Sequence, residues 1–372
     1  MRREASVPRP DWQAKCEAVG FGFHSADGGY WDESVCYVFD AGQIDRLEAV
    51  TEELHQCCLQ AVDAVVQRQA FERFRMPRLA QRLVTQSWQR REPSLYGRFD
   101  FSWDGRGEPR LLEYNADTPT SLLEAAVVQW YWLQDVRAHS DQFNSLHEKL
   151  VERWRALALP GEVVLAAMWD NREDRDTLCY LLDTALQAGL RAQVCDMEEI
   201  GWGRANGRFV DMNERPIDAL FKLYPWEWMM REAFGEHVAA GRTRFIEPPW
   251  KMLLSNKAIL TLLWEMFPDH PNLLPATCEP GQWAASHVKK PLYSREGANV
   301  SIRSQAGNFD EGGAYGAEGY IWQAYCPLPC FDGRYPVIGS WIVGDRAAGI
   351  GIREDDSPIT RNSSRFVPHC FD

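Results

Sequence analysis

Several absences narrow the reading before any motif does. No run reaches the ~18 apolar residues that a bilayer span needs, and the most apolar stretch, Ala125 to Leu133, is short and carries Gln129. The segment Met1 to Pro10 has no apolar core of the kind a secretory signal carries, so a cytoplasmic location is expected. Positive charge is in deficit: 40 Lys and Arg against 53 Asp and Glu leave −13. That balance argues against a nucleic-acid partner or an anionic-membrane surface, while leaving room for a local basic cleft that takes a small anion. No C-x-x-C pair and no histidine spacing suited to zinc occurs, and the ten scattered cysteines read as reduced and mostly buried. A Walker A phosphate loop is missing, as is any repeat of fixed period. What the chain has in quantity is apolar and aromatic matter. With 45% hydrophobic residues and 16 Trp in 372 positions, it can build a large packed core.

The spacing of apolar residues predicts the elements. Ile44, Leu47, Val50, Leu54, Cys58, Ala61 and Val65 recur at three and four residues, which predicts a helix over 42–68 with Asp40 as its N-cap. Arg98–Phe101 and Arg110–Asn115 read as two strands of a hairpin, joined by the turn-rich segment Trp103–Pro109. Helices are predicted from Ser121 and over 140–157. Pro160-Gly161 marks a boundary, after which strand (163–169), helix (175–188) and strands (191–195, 209–212, 217–223) predict a small α/β domain with a partly parallel sheet. Beyond Glu247-Pro-Pro249 a helix (258–267) precedes strands at 286–292, 298–303, 319–326, 335–343 and 346–352, which predict an antiparallel sheet. The expected division is 1–158, 159–246 and 247–372.

Three places could carry chemistry. Asp100 and Glu113 fall on neighbouring predicted strands, Asn115 shares the face of Glu113, and Arg98 shares that of Asp100. Two carboxylates and an amide oxygen suit magnesium, which commonly bridges nucleotide phosphates. A solvated strand face with an ordinary salt bridge fits the same pattern. Lys257 opens a helix, where a cation is unfavourable unless an anion also binds, and Lys290 ends a strand before the loop Ser294–Asn299. That loop reads either as a flap over phosphates or as a hairpin with surface charges. Glu173 and Asp174 sit between a buried strand and a helix, where they suit a cationic amine or merely decorate the helix N-terminus.

Taken together, Arg98-Phe-Asp100, Leu-Leu-Glu113-Tyr-Asn115-Ala-Asp117, Ser255-Asn-Lys257-Ala, Lys290-Pro-Leu-Tyr-Ser-Arg-Glu-Gly-Ala-Asn299 and Gly351-Ile-Arg353-Glu-Asp carry a resemblance. From Trp12 to Phe371 the chain resembles the glutathionylspermidine synthase family, in particular its stand-alone synthetase-like members. The resemblance implies an α/β (α+β) ATP-grasp fold, with antiparallel sheets flanked by helices plus a small α/β substrate-binding domain. It implies an ATP-dependent carboxylate–amine ligase that forms an amide from small-molecule acid and amine partners. ATP would lie against Arg98, Phe99, Asp100, Lys257, Lys290, Gly297 and the strand Gln323, Ala324, Tyr325 and Cys326, with Arg98 acting on the transferring phosphoryl group. Two Mg2+ ions would take Asp100, Glu113 and Asn115. Asp117, Thr118 and Thr120 fall where members contact the acid, Glu173 and Asp174 where the polyamine enters, and Arg353 among the substrate contacts.

Two positions depart from the family pattern. Arg365 stands where an acidic amine-binding residue aligns, and Val337 where a glutamine lies near the nucleotide. An arginine in the amine pocket would repel a second ammonium, so an amine with one positive charge or its own carboxylate is expected in place of spermidine. A nucleotide-binding module without ligase activity and a carboxylate kinase that stops at the phosphorylated acid both stay open.

Overall fold

The computed structural model describes residues 1–280 and 286–372. Its frame is a five-stranded antiparallel sheet in the order Arg365–Val367, Arg346–Asp355, Tyr335–Val343, Tyr96–Ser102, Arg110–Asn115. The predicted hairpin supplies the last two strands, and the C-terminal part of the chain supplies the other three. The predicted long helix runs Ala41–Arg68 and packs on this sheet, with Leu47, Val50, Leu54, Cys58 and Val65 buried. Asp40 caps it as expected: its carboxylate accepts from the Gln43 N–H at 2.9 Å, and Gln43 Oε1 accepts from the Asp40 N–H at 3.1 Å.

A second five-stranded antiparallel sheet is ordered Ala276–Thr277, Tyr320–Ala324, His287–Pro291, Ser301–Ser304, Gly307–Asp310. The middle of the chain forms a four-stranded parallel sheet, Arg244–Ile246, Ala219–Leu223, Val163–Ala167, Ala192–Asp196, with the helix Arg172–Gln187 packed on it. A three-stranded sheet ties the chain ends together: Arg2–Ala5 pairs with Val35–Phe39, which pairs with His369–Phe371.

Several details differ from expectation. The helix predicted over 140–157 is Leu146–Ala156, because Asp141 and Asn144 instead bridge Phe371 and Gly349 in extended backbone. The segment around 209–212 is not in the parallel sheet; Arg208–Val210 pairs with Gly201–Gly203 in a separate ribbon. The edge strand Arg244–Ile246, only three residues long, is too short to leave a period in the sequence. All ten cysteines are free, but Cys16, Cys36, Cys57, Cys58 and Cys370 alone are buried, and Cys179 and Cys330 are exposed. Among the described residues no helix is long and apolar enough to cross a membrane.

Candidate active site

The hairpin builds the floor of the site. Pairing places Arg98 opposite Asn115 and Asp100 opposite Glu113, with a bulge between Asp100 and Phe101. The intervening residues Phe99 and Tyr114 face the other way and stack at 3.8 Å in the core. Gly97 makes room for that stack, since a Cβ there would come within 2.8 Å of the Tyr114 ring. One face of the hairpin therefore packs and the other carries charge.

On the charged face, Asn115 Nδ2 donates to Asp100 Oδ2 at 3.0 Å and to Glu113 Oε1 at 3.3 Å, so one amide spans both carboxylates. Arg98 grips Asp100 through Nε at 2.7 Å and Nη2 at 3.1 Å, and its Nη1 donates to the Thr120 carbonyl at 2.8 Å. Lys257 Nζ lies 3.1 Å from Glu113 and donates to the Ser294 carbonyl at 2.8 Å, so Glu113 is the anion that settles a cation at the start of the helix Ala258–Met266. Burial opposes ionisation of Glu113, but Lys257 and Lys290 outweigh it and hold the carboxyl down at about 2. Lys290 Nζ donates to the Leu112 carbonyl and to Gln323 Oε1, both at 2.8 Å. Burial brings its ammonium down to about 8.

These side chains border a cavity of about 480 Å³ enclosed by all three large sheets. Its wall includes Arg98, Asp100, Glu113 and Asn115 from the central sheet, with Lys290, Gln323, Ala324, Tyr325 and Cys326 from the second sheet. It also takes in Thr118, Thr120, Asp174 and Arg353, with Thr120 adjoining Arg98 through its carbonyl. The loop Ser294–Ala298 closes over it against Ile359 and Thr360. Gly297 sits at φ +71°, and a Cβ there would meet the Thr360 carbonyl at 2.6 Å, so the loop approaches that segment as only glycine allows.

Five residues singled out in the sequence lie outside the cavity wall. Phe99 is fully buried in the core stack. Asp117 is held by Lys222 Nζ at 2.6 Å and accepts from the Trp226 N–H at 2.8 Å, so its buried carboxylate ties the hairpin exit to the parallel sheet. Lys257 stands behind Glu113, and Glu173 stands behind Asp174. Arg365 is a correction: it pairs with Asp32 at 3.0 Å and stays clear of the cavity, so the repulsion expected from it in an amine pocket does not arise. Val337 does line the cavity.

Sequence reasoning passed over Tyr224, Trp228 and Arg295, which also line the cavity. Arg295 Nη2 donates to Glu227 at 2.9 Å and its Nη1 to Thr118 Oγ1 at 2.5 Å, which locks the closing loop to both neighbouring elements. The arginine could have been found as the one cation inside the Gly-containing loop.

A metal-binding reading was tested on the donors themselves. Among the described residues there is no group of three or more His, Cys, Asp and Glu that could hold an ion unaided. The donor set is two carboxylates and one amide, all within reach of one another. This suits magnesium, which takes one or two carboxylates and completes its shell with water and phosphate oxygens.

Two antiparallel sheets and one parallel sheet around a shared cavity make this a mixed α/β protein. The fold is similar to a solved glutathione synthetase-like effector from Globodera pallida in apo form, with TM-score 0.58 and 11% identity over 99% of this chain and 100% of that one. A family model described as Glutathionylspermidine synthase preATP-grasp matches residues 3–372, and the chain belongs to that family. It is 44% identical over 392 residues to a Haemophilus influenzae protein named "Putative acid--amine ligase", covering 100% of both. It is 29% identical over 356 residues to trypanothione synthetase of Crithidia fasciculata, covering 87% of this chain and 54% of that protein. With the bifunctional glutathionylspermidine synthetase/amidase of Escherichia coli it shares 27% identity over 367 residues, 89% of this chain and 58% of that one. The chain thus spans a little over half the length of these two relatives.

Proposed function

We propose that this protein is an ATP-dependent carboxylate–amine ligase that joins a small acid to a small amine through an acyl phosphate. The observation that carries the reading is the facing pair Asp100 and Glu113, spanned by the Asn115 amide and flanked by Arg98 and Lys290 in one cavity. Bound there, MgATP supplies the phosphoryl group that converts a carboxylate into an acyl phosphate, from which an amine displaces phosphate to leave an amide.

The chain's own residues then have separable roles. Asp100, Glu113 and Asn115 hold up to two magnesium ions, with Arg98 beside them as a fixed fork for the charge that develops on the transferring group. Lys290 adds positive charge from the second sheet and Lys257 from the start of the helix Ala258–Met266, and Gln323 to Cys326 offer a backbone edge for the adenine. Arg295 and Gly297 bring the closing loop over the phosphates. Thr118, Thr120 and Arg353 line the end that receives the acid, with Asp174 on the side of the amine. The enclosed compartment beyond the metal donors supports a ligase over a simple nucleotide-binding module, which has no use for it.

The test is a hydroxamate assay with MgATP, pooled small carboxylates and hydroxylamine as the amine surrogate. Hydroxamate and ADP formed in equal amounts support the ligase. Because a released acyl phosphate also reacts with hydroxylamine, a parallel reaction without hydroxylamine separates the two enzymes: free phosphorylated acid accumulating with ADP would indicate the kinase, and ATP binding without turnover would indicate the module.

A further inference from the structure

An incoming amine is an ammonium at neutral pH and has no lone pair to attack an acyl phosphate until it loses a proton. The cavity wall contains a route for that proton that none of the assigned roles uses. Ser121, which lines the cavity, lies 2.9 Å through its Oγ from the Tyr30 hydroxyl. The Tyr30 hydroxyl donates at 2.7 Å to Glu124 Oε1. When Glu124 is ionised the single Tyr30 proton points to it, and the Ser121 hydroxyl is then the donor in the first bond. In that state every hydrogen bond in the chain runs from the cavity towards Glu124.

The far end of this chain is unusual. Glu124 is 0% exposed, and its second oxygen, Oε2, has no hydrogen-bond partner among the described residues. A buried carboxylate left half-satisfied is costly, and a structural acid would normally fill both oxygens. Glu124 also opens a π-helical turn, Glu124–Val128, a local irregularity that is frequent at functional sites. The groups facing it are Tyr30 from the N-terminal segment, Glu173 from the helix Arg172–Gln187 and Arg353 from the central sheet. Burial, then the neighbouring Glu173 charge, raise the Glu124 carboxyl to about 8, while Tyr30 and Arg353 act the other way. Tyr30 is raised by its burial and by the same acids, so it passes a proton on without ionising.

We propose that Ser121, Tyr30 and Glu124 form a proton relay that deprotonates the amine substrate of the ligase. One N–H bond of the ammonium breaks as its proton goes to Ser121 Oγ. The Ser121 proton moves to Tyr30 Oη, and the Tyr30 proton moves to Glu124, which becomes a neutral acid. The amine nitrogen keeps the electron pair and attacks the acyl carbon; the carbon–oxygen bond to phosphate breaks, and the departing phosphate carries off the second proton that the nitrogen sheds to become an amide. Ser121 is the residue that touches substrate, and Tyr30 and Glu124 act through it. The inference rests on the ligase reading.

The experiment compares two acceptors in the same enzyme. Hydroxylamine is uncharged at neutral pH and needs no deprotonation, whereas a pool of primary alkylamines and amino acids arrives as ammonium. The readout is the ratio of amide to hydroxamate formed from MgATP and the carboxylate that the hydroxamate assay selects, in wild type, Tyr30→Phe and Glu124→Gln. The relay requires the ratio to fall at least tenfold in both variants, with the deficit largest at low pH and closing as the pH approaches the amine's own pKa. Partial recovery of the ratio by Glu124→Asp is expected. A ratio equal to wild type, whether both products fall together or neither falls, overturns the relay, and a variant damaged only in folding gives that result. A wild-type enzyme that forms no hydroxamate from any acid overturns the ligase reading and the relay with it, and is told apart because the wild type itself is silent.

Discussion

Two groups of acids in and around the cavity treat negative charge in opposite ways. In the hairpin group each carboxylate has a cation: Arg98 on Asp100 and Lys257 on Glu113. In the other group Glu124, Glu173, Asp174 and Glu296 have no ion-pair partner among the described residues, and Glu173 raises the pKa of the other three. The first set is paired before anything binds, with Glu113 held down by its lysines although burial raises Asp100. The second is held in a state that a cation would relieve, which is the electrostatic signature expected of a site for an ammonium. On the proposed function, the first group suits anions that arrive with metal and the second a cation that arrives alone.

The sharpest way to break this contrast is in the matched group. Glu113→Ala removes a metal donor and leaves Lys257 without its carboxylate, so MgATP-dependent turnover should drop roughly 10²–10³-fold. Circular dichroism should show the fold retained, because Glu113 stands on the strand face that does not pack. Turnover near the wild-type rate would remove the metal assignment.

In the unmatched group the expected change is a gain. Burial and Glu173 lift Asp174 from 3.8 to about 7. The folded state therefore binds more protons than the unfolded state between these values, and stability falls as pH rises through that window. Asp174→Asn should stabilise the ligand-free protein by about 1–3 kcal/mol at pH 8 and by close to nothing at pH 4. Urea unfolding at both pH values checks it, and an equal gain at the two would show that the effect is not ionisation.

A third test separates the loop from both groups. Gly297→Val places a branched Cβ at a positive φ beside the Thr360 carbonyl. Strain of about 1–2 kcal/mol in the closed loop should raise the KM for ATP roughly tenfold, with a smaller change in KM for the acid and amine. Steady-state kinetics with each substrate varied in turn decides this.

The smallest effect belongs to Arg365. Its partner is Asp32 at the surface, so Arg365→Gln should cost about 0–1 kcal/mol by thermal melting and leave the order of preferred amines unmoved. A reordered amine panel would put this arginine back into the substrate site.

The sequence read the matched group far better than the unmatched one, for a physical reason. Arg98, Asp100, Glu113 and Asn115 lie within one hairpin, where period-2 alternation and a short turn fix which side chains share a face. The relay, by contrast, joins Tyr30 to Ser121 across 91 positions and through no repeating pattern. Nothing local marks Tyr30 as different from the other tyrosines. Asp117 shows the converse: its motif points to substrate, while the partner that holds its carboxylate, Lys222, lies 105 positions away and left no local sign. The parallel sheet was legible as a strand–helix–strand rhythm, while its three-residue edge was not. In each case the local period was readable and the long-range partner was not.

The central sheet has a further consequence during synthesis. The strand Tyr96–Ser102 carries Arg98 and Asp100, and its partner on the side away from the hairpin, Tyr335–Val343, leaves the ribosome 233 residues later (335 minus 102). At about 5–20 residues per second that edge waits on the order of tens of seconds with its backbone donors and acceptors unpaired. An unpaired edge of aromatic, β-forming residues is a template for joining another chain. Translation that stalls before residue 335 therefore leaves the strand that carries Arg98 and Asp100 without this partner and the central sheet incomplete.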